Sequence, residues 1–160
     1  MRVGPRPAYD GHMTDTTGLR IRRHGRLTLH GTPADVVPLF TAEGERRWVA
    51  GWQPWFPLPD HVHERGEVWT TAAPVGTTIW VTAERRADGV LLARVTPDVA
   101  AGLVEVTCRA GLDGTTDVEV SYDVTALSDR GHEVVAHLRD GFGDMLSTWQ
   151  RLAQAALDRS

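Results

Sequence analysis

Cysteine is nearly absent. Cys108 stands alone in 160 residues, so no disulfide within the chain and no thiolate metal cluster can form. A reducing cytoplasm fits that usage best. Cys108 sits in an apolar alternation, with its neighbour Arg109 on the opposite face of the strand, and reads as an inert core thiol. Long apolar runs are missing too. No stretch approaches the roughly 18–20 residues of a membrane-crossing helix, and no signal peptide is visible. Dense positive charge is also lacking: 17 basic residues are spread thinly among 21 acidic ones, for a formal net charge of -4. A nucleic-acid-binding face would show clustered Lys and Arg. The one run, Arg20-Ile21-Arg22-Arg23, falls on an expected strand and reads as a solvated face. There is no G-x-S-x-G elbow for a nucleophilic serine. Gly141-Phe142-Gly143 lacks the third glycine and the preceding strand of a dinucleotide site.

What the chain does have is tryptophan. Six tryptophans outnumber two tyrosines and three phenylalanines, and three of the six crowd into Trp48-Val49-Ala50-Gly51-Trp52-Gln53-Pro54-Trp55. Such a cluster either seals a core or lines a pocket. The length suits one domain able to bury roughly two-thirds of its unfolded surface. Residues 1–18, rich in Gly, Pro and Thr, are expected to form a flexible tail, and 19–160 the domain.

Residues 19–30 alternate as a first strand. Thr32-Pro33-Ala34-Asp35 then opens a short helix, with Thr32 as cap and Pro33 at the first helical position. Pro38 inside it predicts a brief or kinked element. From Gly66 to Ala126 the pattern is a run of strands: Gly66–Thr71, Thr77–Arg85, Val90–Val95, Leu103–Leu112 and Thr115–Thr125. In the fourth, Val104, Val106, Cys108, Ala110 and Leu112 share one face. In the fifth, Val118, Val120, Tyr122 and Val124 do. Period-2 alternation of this kind predicts an antiparallel sheet with one wet side. A helix is expected from about Gly131 to Arg159, where Val135, Leu138, Phe142, Met145, Trp149, Leu152 and Ala156 form one apolar stripe. The dry face of the sheet is the surface large enough to receive it. Gly141 and Gly143 inside it leave open close packing, a bend or ligand approach.

This order resembles the helix-grip fold, an α+β architecture. Thr32-Pro33-Ala34-Asp35-Val36-Val37-Pro38-Leu39-Phe40 is similar to an opening element of the START-like, or SRPBCC, superfamily. Gly44-Glu45-Arg46-Arg47-Trp48-Val49-Ala50-Gly51-Trp52 resembles a segment of one bacterial branch. Gly114-Thr115-Thr116-Asp117-Val118, Tyr122, Thr125-Ala126-Leu127-Ser128 and Gly131 match its close. The resemblance implies a curved antiparallel β-sheet wrapped around a long C-terminal α-helix, with two short helices after the first strand. It also implies an elongated cavity. Members bind lipids, sterols, polyketides or plant hormones; others are cyclases, ring-hydroxylase subunits or chaperone activators. No catalytic motif transfers residue by residue, and no Rieske signature or iron-ligand set is present.

In such a fold Phe142, Met145 and Trp149 serve either as core or as one cavity wall. Val106, Cys108, Val120 and Tyr122 face them, and the Tyr122 phenol either orients a ligand oxygen or bonds to backbone. Trp48 is expected to plug the sheet and Trp52 to rim a pocket mouth. Trp69 and Trp80 lie on strands, where cross-strand packing is the default. Arg94, if inward, would need an anionic partner and so point to a carboxylate ligand, but the alternation over Val90–Thr96 does not decide its direction. His61, His63 and Glu67 have an H-x-H-x-x-x-E spacing seen in cupin metal sites. The glycine and second motif of that family are missing, so a solvated loop without metal is expected. The reading is a binder of a hydrophobic or amphipathic small molecule, with no cofactor, no nucleic acid and no membrane span. A homodimer, a cyclase activity and a cavity-free interaction module stay open.

Overall fold

Alternation and capping place the elements close to where the pattern puts them. The computed structural model describes residues 18–58, 60 and 64–160. The expected tail, apart from Gly18, and the pair His61 and His63 lie outside the described residues. Strand β1 (Arg20–His30) is followed by α1 (Pro33–Val36) and two 3-10 turns, Val37–Phe40 and Gly44–Arg47. Then come β2 (Val68–Ala73), β3 (Gly76–Arg86), β4 (Gly89–Thr96), β5 (Ala100–Ala110), β6 (Thr115–Ala126) and the long α2 (Asp129–Asp158). Asp35 opens α1 by accepting from the Thr32 hydroxyl at 2.6 Å and from its N–H at 3.3 Å. Pro38 has no N–H to continue the α ladder, and the chain tightens to 3-10 geometry there.

The six strands lie in the order β1-β6-β5-β4-β3-β2, each pair antiparallel. Between β5 and β6, Asp113 (φ 52°) and Gly114 (φ 73°) are both left-handed, the geometry that lets a two-residue turn follow the twist of its strands. Leu112 falls in this turn rather than on the inner face of β5, and is 84% exposed. The positive run on β1 is solvated and answered by acid: Arg20 pairs with Asp123 at 2.7 Å and Arg22 reaches the same carboxylate at 3.3 Å. At the opposite edge of the sheet, Trp55 forms a bridge with Thr70 and shields part of β2.

Helix α2 starts two residues earlier than the expected Gly131, because Ser128 caps it, accepting from the Gly131 N–H at 3.0 Å. It lies mainly along β1 and β6. Val135, Phe142, Leu146, Ala153 and Ala156 are its buried side chains, so the stripe is rotated toward Leu146 and Ala153, while Met145, Trp149 and Leu152 are half-buried. Among the described residues, no helix is long and apolar enough to cross a membrane.

The glycines of α2 differ in kind. A Cβ on Gly131 would meet the Val99 carbonyl oxygen at 1.8 Å, a backbone atom that cannot move aside, whereas Gly141 and Gly143 face open space. Close packing is therefore not what Gly141 and Gly143 provide. Gly131→Ala is expected to destabilise the fold by about 1–3 kcal/mol through overpacking. Gly143→Ala should instead stabilise by about 0.5–1 kcal/mol by raising helix propensity. Urea unfolding of the two variants gives shifts of opposite sign if this packing is right.

Candidate binding cavity

The concave face of the sheet holds a layer of rings. Trp69 and Trp80 are direct cross-strand partners and stack with centroids 6.2 Å apart and planes 5° from parallel. Trp80 donates its N–H to Thr71 Oγ1 at 2.9 Å. Trp52, in the loop after the second 3-10 turn, meets Trp80 edge-on at 5.7 Å and donates to the Ala42 carbonyl at 2.8 Å. Trp48 is buried, donates to the Leu39 carbonyl at 2.8 Å, and packs edge-on against Phe40 and Trp149, each at 5.5 Å. Tyr122 lies between Phe142 (5.7 Å) and Trp149 (6.5 Å).

These rings enclose a narrow cavity of 80 Å³ between the sheet, the short helical turns and α2. Phe40, Trp52, Trp69, Trp80, Tyr122 and Trp149 supply its aromatic lining, and Val90, Leu92, Val104 and Val106 its aliphatic floor. The ionisable lining groups other than Tyr122 are Glu45, Glu67 and Arg85. Of the residues singled out from sequence, Trp52, Trp69, Val106, Tyr122 and Trp149 come together here. Cys108, Val120 and Phe142 do not line the cavity and are buried in packing, and Met145 packs half-buried against the same core. Burial, aided by the Asp88 charge, pushes the Cys108 thiol up to about 12, which leaves it unreactive near neutrality.

Arg94 is inward. Its residue pairs with Trp80 across β3 and β4, and its guanidinium carbon sits 5.1 Å from the Trp80 ring centroid, a cation–π contact. It does not touch the cavity wall itself, but its charge is felt by the Tyr122 phenol. Burial still dominates there, and the phenol is pushed up to about 12.

Sequence reasoning missed Glu45 and Arg85. Glu45 sits on a one-turn 3-10 element with no periodicity to mark its direction. Burial pushes its carboxyl from the ordinary 4.5 up to about 8, so it is a neutral acid at pH 7. Arg85 is turned by a β-bulge: the register slips between Thr82 and Glu84, which places Arg85 opposite Val90 on the cavity side. Among the described residues, no group of three His, Cys, Asp or Glu is placed to hold a metal ion.

The architecture is a helix-grip, SRPBCC-like fold. No known family profile matches the sequence, and no curated protein matches it. Solved structures match the fold at low identity. A conserved protein from Geobacillus kaustophilus is 12% identical over 88% of this chain and 97% of its own, with a TM-score of 0.67. Norcoclaurine synthase from Thalictrum flavum is 9% identical over 95% and 96% of the two chains, with a TM-score of 0.59. The di-domain ARO/CYC StfQ of the steffimycin biosynthetic pathway is 15% identical over 88% of this chain and 51% of its own, with a TM-score of 0.61.

The raised Glu45 carboxyl has a thermodynamic consequence. The unfolded chain loses this proton from about 4.5 upward while the folded protein keeps it to about 8. The folded state therefore binds more protons across that window, and stability falls as pH rises through it. Glu45→Gln, neutral at every pH, should melt at a higher temperature than the parent at pH 8. The gap should close as pH drops toward 4.5, which a series of calorimetric melts will read.

Proposed function

We propose that this protein binds a hydrophobic or amphipathic small molecule, lipid- or polyketide-like, in the cavity between the sheet, the short helical turns and α2. The observation that carries the reading is the lining itself. It is a continuous wall of aromatic and aliphatic side chains with a few polar groups among them, the composition expected of a small-molecule site. Apolar burial, at about 25 cal/mol per Å², would supply the affinity, and groups such as Tyr122 the orientation. The volume of 80 Å³ is below the roughly 300–1,000 Å³ of drug-sized sites, so a larger ligand has to displace the half-buried Trp52 or Trp149. The likeness of fold to norcoclaurine synthase and to an ARO/CYC protein supports a cavity put to use. A cavity-free interaction module loses ground for the same reason.

A second reading, a cyclase- or aromatase-type enzyme, is favoured by one specific observation: a neutral carboxyl, Glu45, lines the same cavity as Tyr122. A protonated carboxyl that titrates near neutrality suits general acid catalysis. Glu45 would give its proton to a ligand oxygen that the Tyr122 hydroxyl holds. The chain contains no lysine, so no lysine side chain can form a Schiff base with a ligand carbonyl.

The test is native mass spectrometry of protein purified from its own host, followed by tryptophan-fluorescence titration with the molecule that co-purifies. A discrete added mass and saturable quenching by one equivalent are expected. Leu92→Phe, which fills the cavity floor, should lose the quenching while keeping its circular-dichroism spectrum. A clean protein mass together with no response to fatty acids or aromatic polyketides would sink the binder. If the ligand is turned over, Glu45→Gln should retain binding and lose about 10²–10⁴-fold in kcat.

A further inference from the structure

The outer face of the sheet, turned away from the cavity, is divided in two. A sheet with one solvated side carries polar residues there, and β1 and β6 do so. The outer face of β2 to β5 does not. Trp69, Thr71, Trp80 and Thr82 are buried on the inner side, so Val68, Thr70, Ile79 and Val81 point outward. Across the strands these residues belong to two rows of direct partners. One row runs Trp55, Thr70, Ile79, Val95 and Ala101, the other Val68, Val81, Ala93 and Leu103. Directly paired residues share a side, so Trp55, bridged to Thr70, extends the first row on this face. Val68, Ile79 and Val95 are each 39% exposed, Leu103 43% and Trp55 63%. Thr70 is the one polar member of the two rows.

Two charged flanks bound this patch. One lies along the strands, just beyond the second row, where Leu91 pairs with Glu84 on one side and Glu105 on the other. A single arginine, Arg86, serves three acids there: Glu84 at 2.6 Å, Glu105 at 2.8 Å and Asp88 at 3.6 Å. Acid is in excess on this flank. The other lies across the strands. Next to Leu103 comes Asp123 on β6, then Arg22 on β1, with Arg20 on the same carboxylate. Base is in excess here. An apolar face edged by one negative and one positive flank is complementary to itself. A two-fold axis in the plane of contact, running midway between the flanks, lays the positive flank of each copy on the negative flank of the other. That rotation crosses the two sets of strands near 90°, one of the two ways in which sheets pack face to face.

The area suits such an occupant. Strands lie about 4.8 Å apart and same-side residues about 7 Å apart, so four strands and the Trp55 segment, two to three positions deep, cover on the order of 400 Å². A standard interface takes about 800 Å² from each partner, a little over half of it apolar, or about 450 Å². The apolar rows with their charged flanks match one half of that. We propose that the outer face of β2 to β5 is a homodimer interface, in which two copies of this chain pack sheet on sheet with crossed strands. The cavities lie on the far side of each sheet and stay clear of it.

Sedimentation velocity on a concentration series of the full chain tests this. A monomer–dimer equilibrium with a Kd of about 1–100 μM is expected for an interface of this size. Ile79→Lys sets a charge amid the apolar rows and should weaken association at least about tenfold, with an unchanged circular-dichroism spectrum. Leu112→Ser removes a more exposed apolar side chain, on the β5–β6 turn outside the patch, and should leave the equilibrium as it is. Arg22→Glu turns the positive flank negative and should weaken the dimer about 3–10-fold at low salt, less as salt rises. The parent series and Arg22→Glu do not depend on Ile79→Lys folding. A parent that stays monomeric to about 1 mM, or a dimer indifferent to Ile79→Lys, would overturn the interface. Equal weakening by Leu112→Ser would overturn it as well, since the association would then be unspecific. A dimer that Ile79→Lys dissolves and Arg22→Glu leaves intact would overturn the crossed arrangement.

Discussion

One straight helix cannot cover a six-stranded sheet. With neighbouring strands about 4.8 Å apart, such a sheet is roughly 24 Å across, while a helix with its side chains is about 10–12 Å thick. Helix α2 settles along β1 and β6, and the inner faces of β2 to β5 are left for other groups to cover. The segment between β1 and β2 does this, bringing Phe40 and Trp52 over the open half of the sheet. The cavity is what remains between those rings and the strands. The placing of the cavity follows from that mismatch of widths.

Large side chains fill such a gap with few contacts to spare. Trp80 is the centre: it stacks on Trp69, receives Trp52 edge-on, carries Arg94 over its face and ties its own N–H to Thr71. Trp48 anchors the other side between Phe40 and Trp149. A rigid aromatic frame holds the polar groups in place at small entropic cost, since an indole has only two rotatable bonds. It also excludes water, and that exclusion pushes Glu45 and Tyr122 up in pKa. Apolar packing and acid–base character are therefore one property of this site, not two.

The β-bulge in β3 shows how finely the wall is set. Strand residues alternate sides, so an inward Thr82 would send Arg85 outward; the slip between Thr82 and Glu84 reverses that and brings Arg85 to the cavity. Nearby, Arg86 takes the outer role, gathering Glu84 at 2.6 Å and Glu105 at 2.8 Å. Adjacent arginines thus serve opposite faces of one sheet.

The amino-acid sequence by itself determined the elements and their faces. Alternation over Val104–Cys108 and Val118–Val124, the turn at Asp113-Gly114 and the stripe of α2 each arise from local rules of period and backbone geometry. Those rules act within a few residues, so one chain suffices to read them. Trp69, Val106, Tyr122 and Trp149 were recognisable as candidates because apolar or amphipathic residues fell on those faces, and Trp52 because of the tryptophan-rich segment around it. Only the tertiary structure decided the direction of Arg94, because β4 is apolar on both faces and carries no alternation. It alone brought Glu45, from a single 3-10 turn, and Arg85, from a bulge, to the cavity. It alone also left the Trp69 N–H without an acceptor among the described residues, for a donor's satisfaction depends on atoms far away in the chain, and no local pattern encodes them.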